Sequence, residues 1–218
     1  MIPLLSYTDL SKDPCVLCFI AAYNGVIADY SLYENRVYVS DYVSVSEYTG
    51  KTYVQPGYKI NFSRSHTSGL LVELSEPLPY GTFTVDVYVP TSPSCGMGVV
   101  SAVGDSSNCI QFVCKGFTSV SFCGKRVAST VMDGAGAHKI VTFFVAPNTL
   151  REYHDQPFFK VTVPDLTARQ LKYVHIHCCW DVSSSSPSPQ GNFGYQYSAY
   201  YCNGHSLVYF ILYRGVLF

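Results

Sequence analysis

Hydrophobic and polar residues alternate with a period of two along much of this chain. The clearest case is Thr82–Val89, where Phe83, Val85, Val87 and Val89 share one face and Thr82, Thr84, Asp86 and Tyr88 the other. Arg36–Ser40, Tyr42–Val45 and Tyr58–Phe62 repeat the pattern. Further strands are expected at Gly98–Val103, Cys109–Cys114, Ser119–Cys123, Ile140–Val145, Phe158–Val163 and Tyr173–Asp181, with Gly and Pro between them. Tyr195–Cys202 and His205–Tyr213 flank Asn203-Gly204, the pair preferred at the two φ > 0 positions of a type I′ turn, which predicts a β-hairpin. Helix is confined to Ser6–Lys12 and Asp165–Leu171, the latter opening on an N-cap Asp after Pro164. Strands do not alternate with long helices, so α/β folds are excluded. The expected fold is all-β: an antiparallel β-sandwich, an eight-stranded jelly roll, preceded by an irregular N-terminal segment. The domain division is 1–56, an extension with short strands, and 57–218, the sandwich. The serine-rich stretch Ser183–Pro189 reads as a surface loop.

Composition sharpens this picture. Hydrophobic residues make up 48% of the chain and aromatic ones 15%, but charged residues only 13%, against about 25% in an ordinary soluble domain. A monomer of this mass exposes roughly 10,000 Å², so charges stand about one per 340 Å². Nineteen tyrosines must cover much of the remainder. Disorder is excluded, because disordered chains are poor in aromatics. Fourteen basic against fifteen acidic residues leave no positive excess for a free nucleic-acid binder. The apolar runs Cys15–Tyr23 and Leu207–Tyr213 fall short of the ~20 residues that span a bilayer, so no membrane insertion is expected. The first residues lack a basic n-region and are interrupted by Asp9, Lys12 and Asp13, so they do not read as a signal peptide. Of nine cysteines, Cys109, Cys114, Cys123, Cys178 and Cys202 sit in apolar runs, which suits buried, reduced thiols.

Three constellations could carry chemistry. On a strand over Tyr173–Asp181, His175, His177, Cys179 and Asp181 project to one side, with Val174, Ile176, Cys178 and Trp180 opposite. Imidazole and thiolate are zinc ligands, and an HxH strand resembles the metal strand of cupins. The Glu and distant His of the cupin pattern are missing, so the expected role of His175, His177 and Cys179 is a polar face toward solvent or a neighbouring subunit. Cys95 in Ser94–Val100 resembles the nucleophile stretch of chymotrypsin-like viral cysteine proteases. Its upstream histidine, His66, is too near in sequence to sit on an opposite barrel, and Cys123 has the same weakness. Cys15 and Cys18 form a lone CxxC with no second pair. Asn61-Phe62-Ser63 fits a glycosylation sequon but lies in an expected strand. No carboxylate pair suggests acid/base work. No catalytic, cofactor-binding or metal-binding residue is therefore assigned, no cofactor is expected, and the chain reads as a non-enzyme.

Three passages resemble a known family. Pro79–Pro90 followed by Cys95–Gly104 is similar to an alternating strand, turn and second apolar strand of picornavirus-like capsid proteins. Ile140–Pro147 resembles the strand of that family ending in an apolar-Pro step, and Phe158–Leu166 with Tyr173–Asp181 resembles its late strand pair. The resemblance implies a jelly-roll coat subunit of an icosahedral positive-strand RNA virus, assembled in host cytoplasm into a virion. Its partners would be other copies of itself, sister capsid subunits, viral RNA contacted diffusely, and a host receptor. The rival reading is an extracellular lectin-like or C1q/TNF-like trimeric binding module, reading sugars or receptors through loops such as 183–194. A zinc- or cysteine-dependent enzyme ranks third.

Overall fold

In a computed structural model, described for residues 7–63, 69–90, 95–100, 109–114, 117–122, 125–131, 138–146, 149–154, 156–162, 171–176 and 205–215, the chain is an antiparallel β-sandwich. A single helical turn, α1 (Tyr7–Leu10), precedes β1 (Val16–Tyr23), β2 (Val26–Asp29), β3 (Arg36–Val39), β4 (Val43–Glu47) and β5 (Tyr58–Phe62). Then come β6 (Leu70–Leu78), β7 (Gly81–Tyr88), β8 (Cys95–Val100), β9 (Cys109–Cys114), β10 (Phe117–Phe122) and β11 (Lys125–Val131). The last strands are β12 (His138–Ala146), β13 (Thr149–His154), β14 (Gln156–Thr162), β15 (Leu171–Ile176), β16 (His205–Leu207) and β17 (Tyr209–Arg214). One seven-stranded sheet runs β14-β13-β12-β7-β17-β1-β2 and the other β11-β10-β9-β8-β15-β6-β3; β16-β5-β4 form a small third sheet. The antiparallel all-β sandwich expected from the sequence is present. Its two large sheets are wider than an eight-stranded arrangement, because β1, β2, β6, β11 and β13 add to the expected strands.

The first of the added strands does not alternate. β1 reads Val-Leu-Cys-Phe-Ile-Ala-Ala-Tyr, and its first seven residues are buried on both faces. Leu17, Cys18, Ile20 and Ala22 are part of the main core between the sheets, with Val72 and Leu74 of β6, Phe83, Val85 and Val87 of β7, and Val174 and Ile176 of β15. Phe19 and Ala21 point the other way into a second cluster with Leu10, Val54, Val208, Tyr209 and Ile211, ringed by Tyr23, Tyr30, Tyr48, Tyr53, Tyr88 and Tyr213. This second layer explains the continuous apolar run: a strand covered on both faces needs no polar side. β1 pairs with β17, the last strand of the described chain, and with β2, while β3 pairs with β6. Strands of the segment 1–56 are thus built into both large sheets.

Both faces of β7 are covered within the chain: Phe83, Val85 and Val87 face the core, and Thr84 and Asp86 on the opposite face are buried as well. The Thr84 and Thr142 hydroxyls are 2.9 Å apart, and Thr84 Oγ1 donates to the Gly215 carbonyl at 2.8 Å. A Thr- and Tyr-rich face can be covered at small desolvation cost, because few ions lose their water. Here the chain does the covering itself.

The expected strand His205–Tyr213 is split at Val208. β16 pairs with β5 in the small sheet, whereas β17 lies between β7 and β1. Val208 N–H donates to the Tyr88 carbonyl at 2.8 Å as the chain crosses. Tyr195–Cys202, the Asn203-Gly204 turn, the 183–194 loop and the expected helix at 165–171, apart from Leu171 in β15, lie outside the described residues. The expected short helix at Ser6–Lys12 appears as α1. Among the described residues no helix is long and apolar enough to cross a membrane.

Candidate recognition surface

The sequence candidates are dispersed rather than assembled. His175 lies at the centre of one sheet, facing Leu71 of β6 and Gly98 of β8 in register. It is 1% exposed, so at this residue the expected polar face toward solvent or a neighbouring subunit is instead buried within the chain. A central strand has sheet on both flanks, and Leu71 beside it is equally buried. Burial lowers the His175 pKa to about 3, so the ring is neutral at pH 7. His177, Cys179, Asp181, His66 and Cys123 lie outside the described residues. Cys95 stands opposite Cys114 at the start of β8. Among the described residues no three His, Cys, Asp or Glu gather into a group that could hold a metal. Cys15 and Cys18 are both free thiols. Burial, and secondarily the charge of Asp29, pushes the Cys18 thiol well up, so it packs as a hydrophobe. The Asn61 amide is engaged: its nitrogen donates to Ser46 Oγ at 2.9 Å and its oxygen accepts from Ser206 Oγ at 2.7 Å.

A shallow cleft forms where four distant segments meet, and the sequence gives no sign of it. Leu17, Leu74 and Leu78 make its floor; Tyr33, Asn35, Ser75, Glu76, Pro77, Pro79 and Arg214 make its walls. Its enclosed volume of about 20 Å³ admits little more than one water. A ligand here rests on the surface rather than inside it, unlike a substrate buried in a pocket of several hundred Å³.

One wall is held rigidly by a buried carboxylate. Asp29, at the end of β2, accepts from the Phe19 and Ser31 N–H groups at 2.7 and 3.1 Å through one oxygen. Its other oxygen accepts from Ser31 Oγ at 2.8 Å and the Asn35 N–H at 2.7 Å. Four donors around one carboxylate fix the 30–35 turn in which Tyr33 sits. Asn35 extends the network: its amide donates to the Leu17 carbonyl at 2.7 Å and accepts from the Ser75 N–H at 2.8 Å, joining the turn to β1 and β6. The Tyr33 hydroxyl donates to the Pro14 carbonyl at 2.9 Å, which sets its ring. Glu34 takes the left-handed conformation, φ 46°, an uncommon state for a residue with a Cβ and one that tight surroundings must enforce.

The charges at the cleft contrast with this network. Arg214 and Glu76 are exposed; the Arg214 N–H donates to the Cys15 carbonyl at 2.7 Å, but neither side chain forms a hydrogen bond or ion pair with a described residue. Tyr80, next to Pro79, is 53% exposed at the β6–β7 turn. The surface thus combines a fixed phenol ring, an exposed one, a guanidinium and a carboxylate above an apolar floor. A guanidinium fork binds carboxylates through two parallel hydrogen bonds, and aromatic rings pack against apolar faces of polar ligands.

The chain is similar in fold to botulinum neurotoxin binding domains. The receptor-binding domain of botulinum neurotoxin D aligns with a TM-score of 0.57 at 13% identity, over 94% of this chain and 50% of that one. The serotype D ligand-binding domain in complex with N-acetylneuraminic acid gives 0.55 at 12% identity, over 94% and 48%. The type DC binding domain in complex with rat synaptotagmin II gives 0.53 at 13%, over 91% and 48%. The chain therefore spans about half the length of the solved structures it matches. At these identities the likeness extends to the β-sandwich fold alone. No protein-family model and no curated protein matches the sequence.

Proposed function

We propose that this chain is a non-catalytic surface-recognition module whose cleft at the β6–β7 turn binds a carboxylated sugar. The observation that carries this reading is Arg214: an exposed guanidinium, paired with no described residue, beside Tyr33 and above an apolar floor. The Asp29 network supports it, because a wall fixed before binding costs the complex little ordering entropy. The fold shared with toxin binding domains, one of them solved with N-acetylneuraminic acid, adds support by analogy only. A glycan array probed with the purified chain tests it. Signal confined to carboxylated glycans, and lost in Arg214→Ala, is expected. Binding to neutral and acidic glycans alike, or to none, sinks it.

A second reading keeps the coat subunit of an icosahedral positive-strand RNA virus, assembling in host cytoplasm with its own copies and sister subunits into a virion. It is favoured by the free thiols of Cys15 and Cys18 and by the 13% charged composition. Co-expression with candidate sister subunits and imaging decides it: closed shells support the reading, and a monodisperse chain that joins no particle removes it.

A further inference from the structure

Sandwich edges differ in how they are guarded. At one side, the outermost strands are β14 and β11. β14 carries Pro157 and Lys160 and meets β13 through a register irregularity; β11 opens with Lys125-Arg126 and meets β10 through another. Proline, basic residues and bulges are the usual means of blocking edge-to-edge pairing. At the other side the sheets end in β2 and β3, joined by the 30–35 turn. Neither strand contains Pro or Lys. The β2 register to β1 is regular, as is that of β3 to β6. The one basic residue, Arg36, lies over the Tyr38 ring with its guanidinium carbon 4.8 Å from the centroid.

Exposed apolar residues line the unguarded side: Val26 at 60%, Leu32 at 52%, Val39 at 38% and Tyr42 at 54%. Tyr80, also exposed, stands apart from them at the β6–β7 turn. Strand edges left unpaired among the described residues, with four exposed apolar side chains within one short run, are what an interface requires, and single exposed residues would not need this explanation.

The geometry points to a second copy of this chain as the occupant, docked about a two-fold axis so that β3 pairs antiparallel with β3 of the second copy. Charge argues for a like partner: the chain's net charge is −1, so copies barely repel. Symmetry argues the same way. A two-fold normal to the sheet keeps every side chain on its face and centres the seam on one residue. Centred on Tyr38, it sets Val37 against Val39 and Arg36 against Ser40 of the second copy, so no charge meets its like. The run from Val26 to Tyr42 falls somewhat short of the 20–30 residues a side of a standard interface, which suits a weak, micromolar dimer. This inference stands apart from what the cleft binds.

Sedimentation velocity on the full chain, from about 1 to about 100 µM, spans the range where such a dimer forms. The expected result is a dimer fraction that rises with concentration, disappears in the double variant Val26→Lys/Val39→Lys, and is unchanged in Tyr80→Lys. Both substituted valines are solvent-exposed, and far-UV circular dichroism reports that the variant folds. Hydrogen exchange of the wild type at the two concentrations gives an independent reading, with added protection over residues 36–39 expected in the dimer. A wild type monomeric throughout, a dimer that survives the double substitution, or protection located elsewhere overturns the proposal. Glycan binding by the double variant keeps this outcome separate from that of the cleft.

Discussion

Replacing Asp29 by Asn is the sharpest probe of the wall that fixes Tyr33. The side chain keeps its size but offers one acceptor oxygen and one NH₂ group in place of two acceptor oxygens. Oriented toward Phe19 and Ser31 N–H, the retained oxygen keeps both of those bonds. The new NH₂ then faces Ser31 Oγ, which can turn and accept, and the Asn35 N–H, which cannot. The orphaned, buried N–H costs about 1–3 kcal/mol, and the remaining bonds lose the added strength of a charged acceptor. The sum is about 3 kcal/mol, offset in part because no ion is now desolvated. Urea unfolding followed by far-UV circular dichroism measures it, with Asp41→Asn at an exposed site as the control expected within about 0.5 kcal/mol of wild type. A loss below about 1 kcal/mol for Asp29→Asn would refute the reasoning, since the carboxylate would then not be organising the turn.

Other perturbations test separate parts of the account. His175 has its pKa lowered by burial to about 3, so protonation favours the unfolded chain; stability is lost as pH falls from the unfolded value of about 6.5 toward 3, by about 3 kcal/mol at pH 4. His175→Gln should flatten that part of the stability–pH curve, and an unchanged slope argues against a buried neutral ring. Gly25, at φ 78° beside Asn24 at φ 50°, makes the β1–β2 turn; Gly25→Ala meets no atom but should cost about 1–2 kcal/mol from backbone strain alone, read as a lower melting temperature. In native protein, mass-spectrometric mapping after alkylation should find Cys15 modified and Cys18 protected until urea unfolds the chain. Early modification of Cys18 contradicts its place in the core.

What the sequence discloses depends on whether one face of a strand is wet or dry. β7 could be read because its inward residues alternate with Thr, Asp and Tyr. β1 could not, since the second layer buries both faces and removes the alternation. Asn24-Gly25 carries the same I′-turn signal as Asn203-Gly204 and marks the β1–β2 hairpin, a signal open to inspection that identifies β2 as well. The cleft was not legible: it joins Leu17, the 33–35 turn, residues 74–79 and Arg214, which only strand pairing brings together. Asp29 looks like any strand-end acid until the four donors around it are known. His175 misleads in the opposite sense, because its polarity suggests a surface that the central position of β15 denies it.

On this reading the Arg214 guanidinium, paired with no described residue, recognises a carboxylate at a rigid cleft. Saturation-transfer NMR with N-acetylneuraminic acid and its methyl ester, on wild type and Arg214→Ala, tests it most directly. Transfer to the free acid alone, abolished in Arg214→Ala while the melting temperature holds, is the predicted result. Equal transfer to acid and ester, or transfer that persists without Arg214, contradicts it.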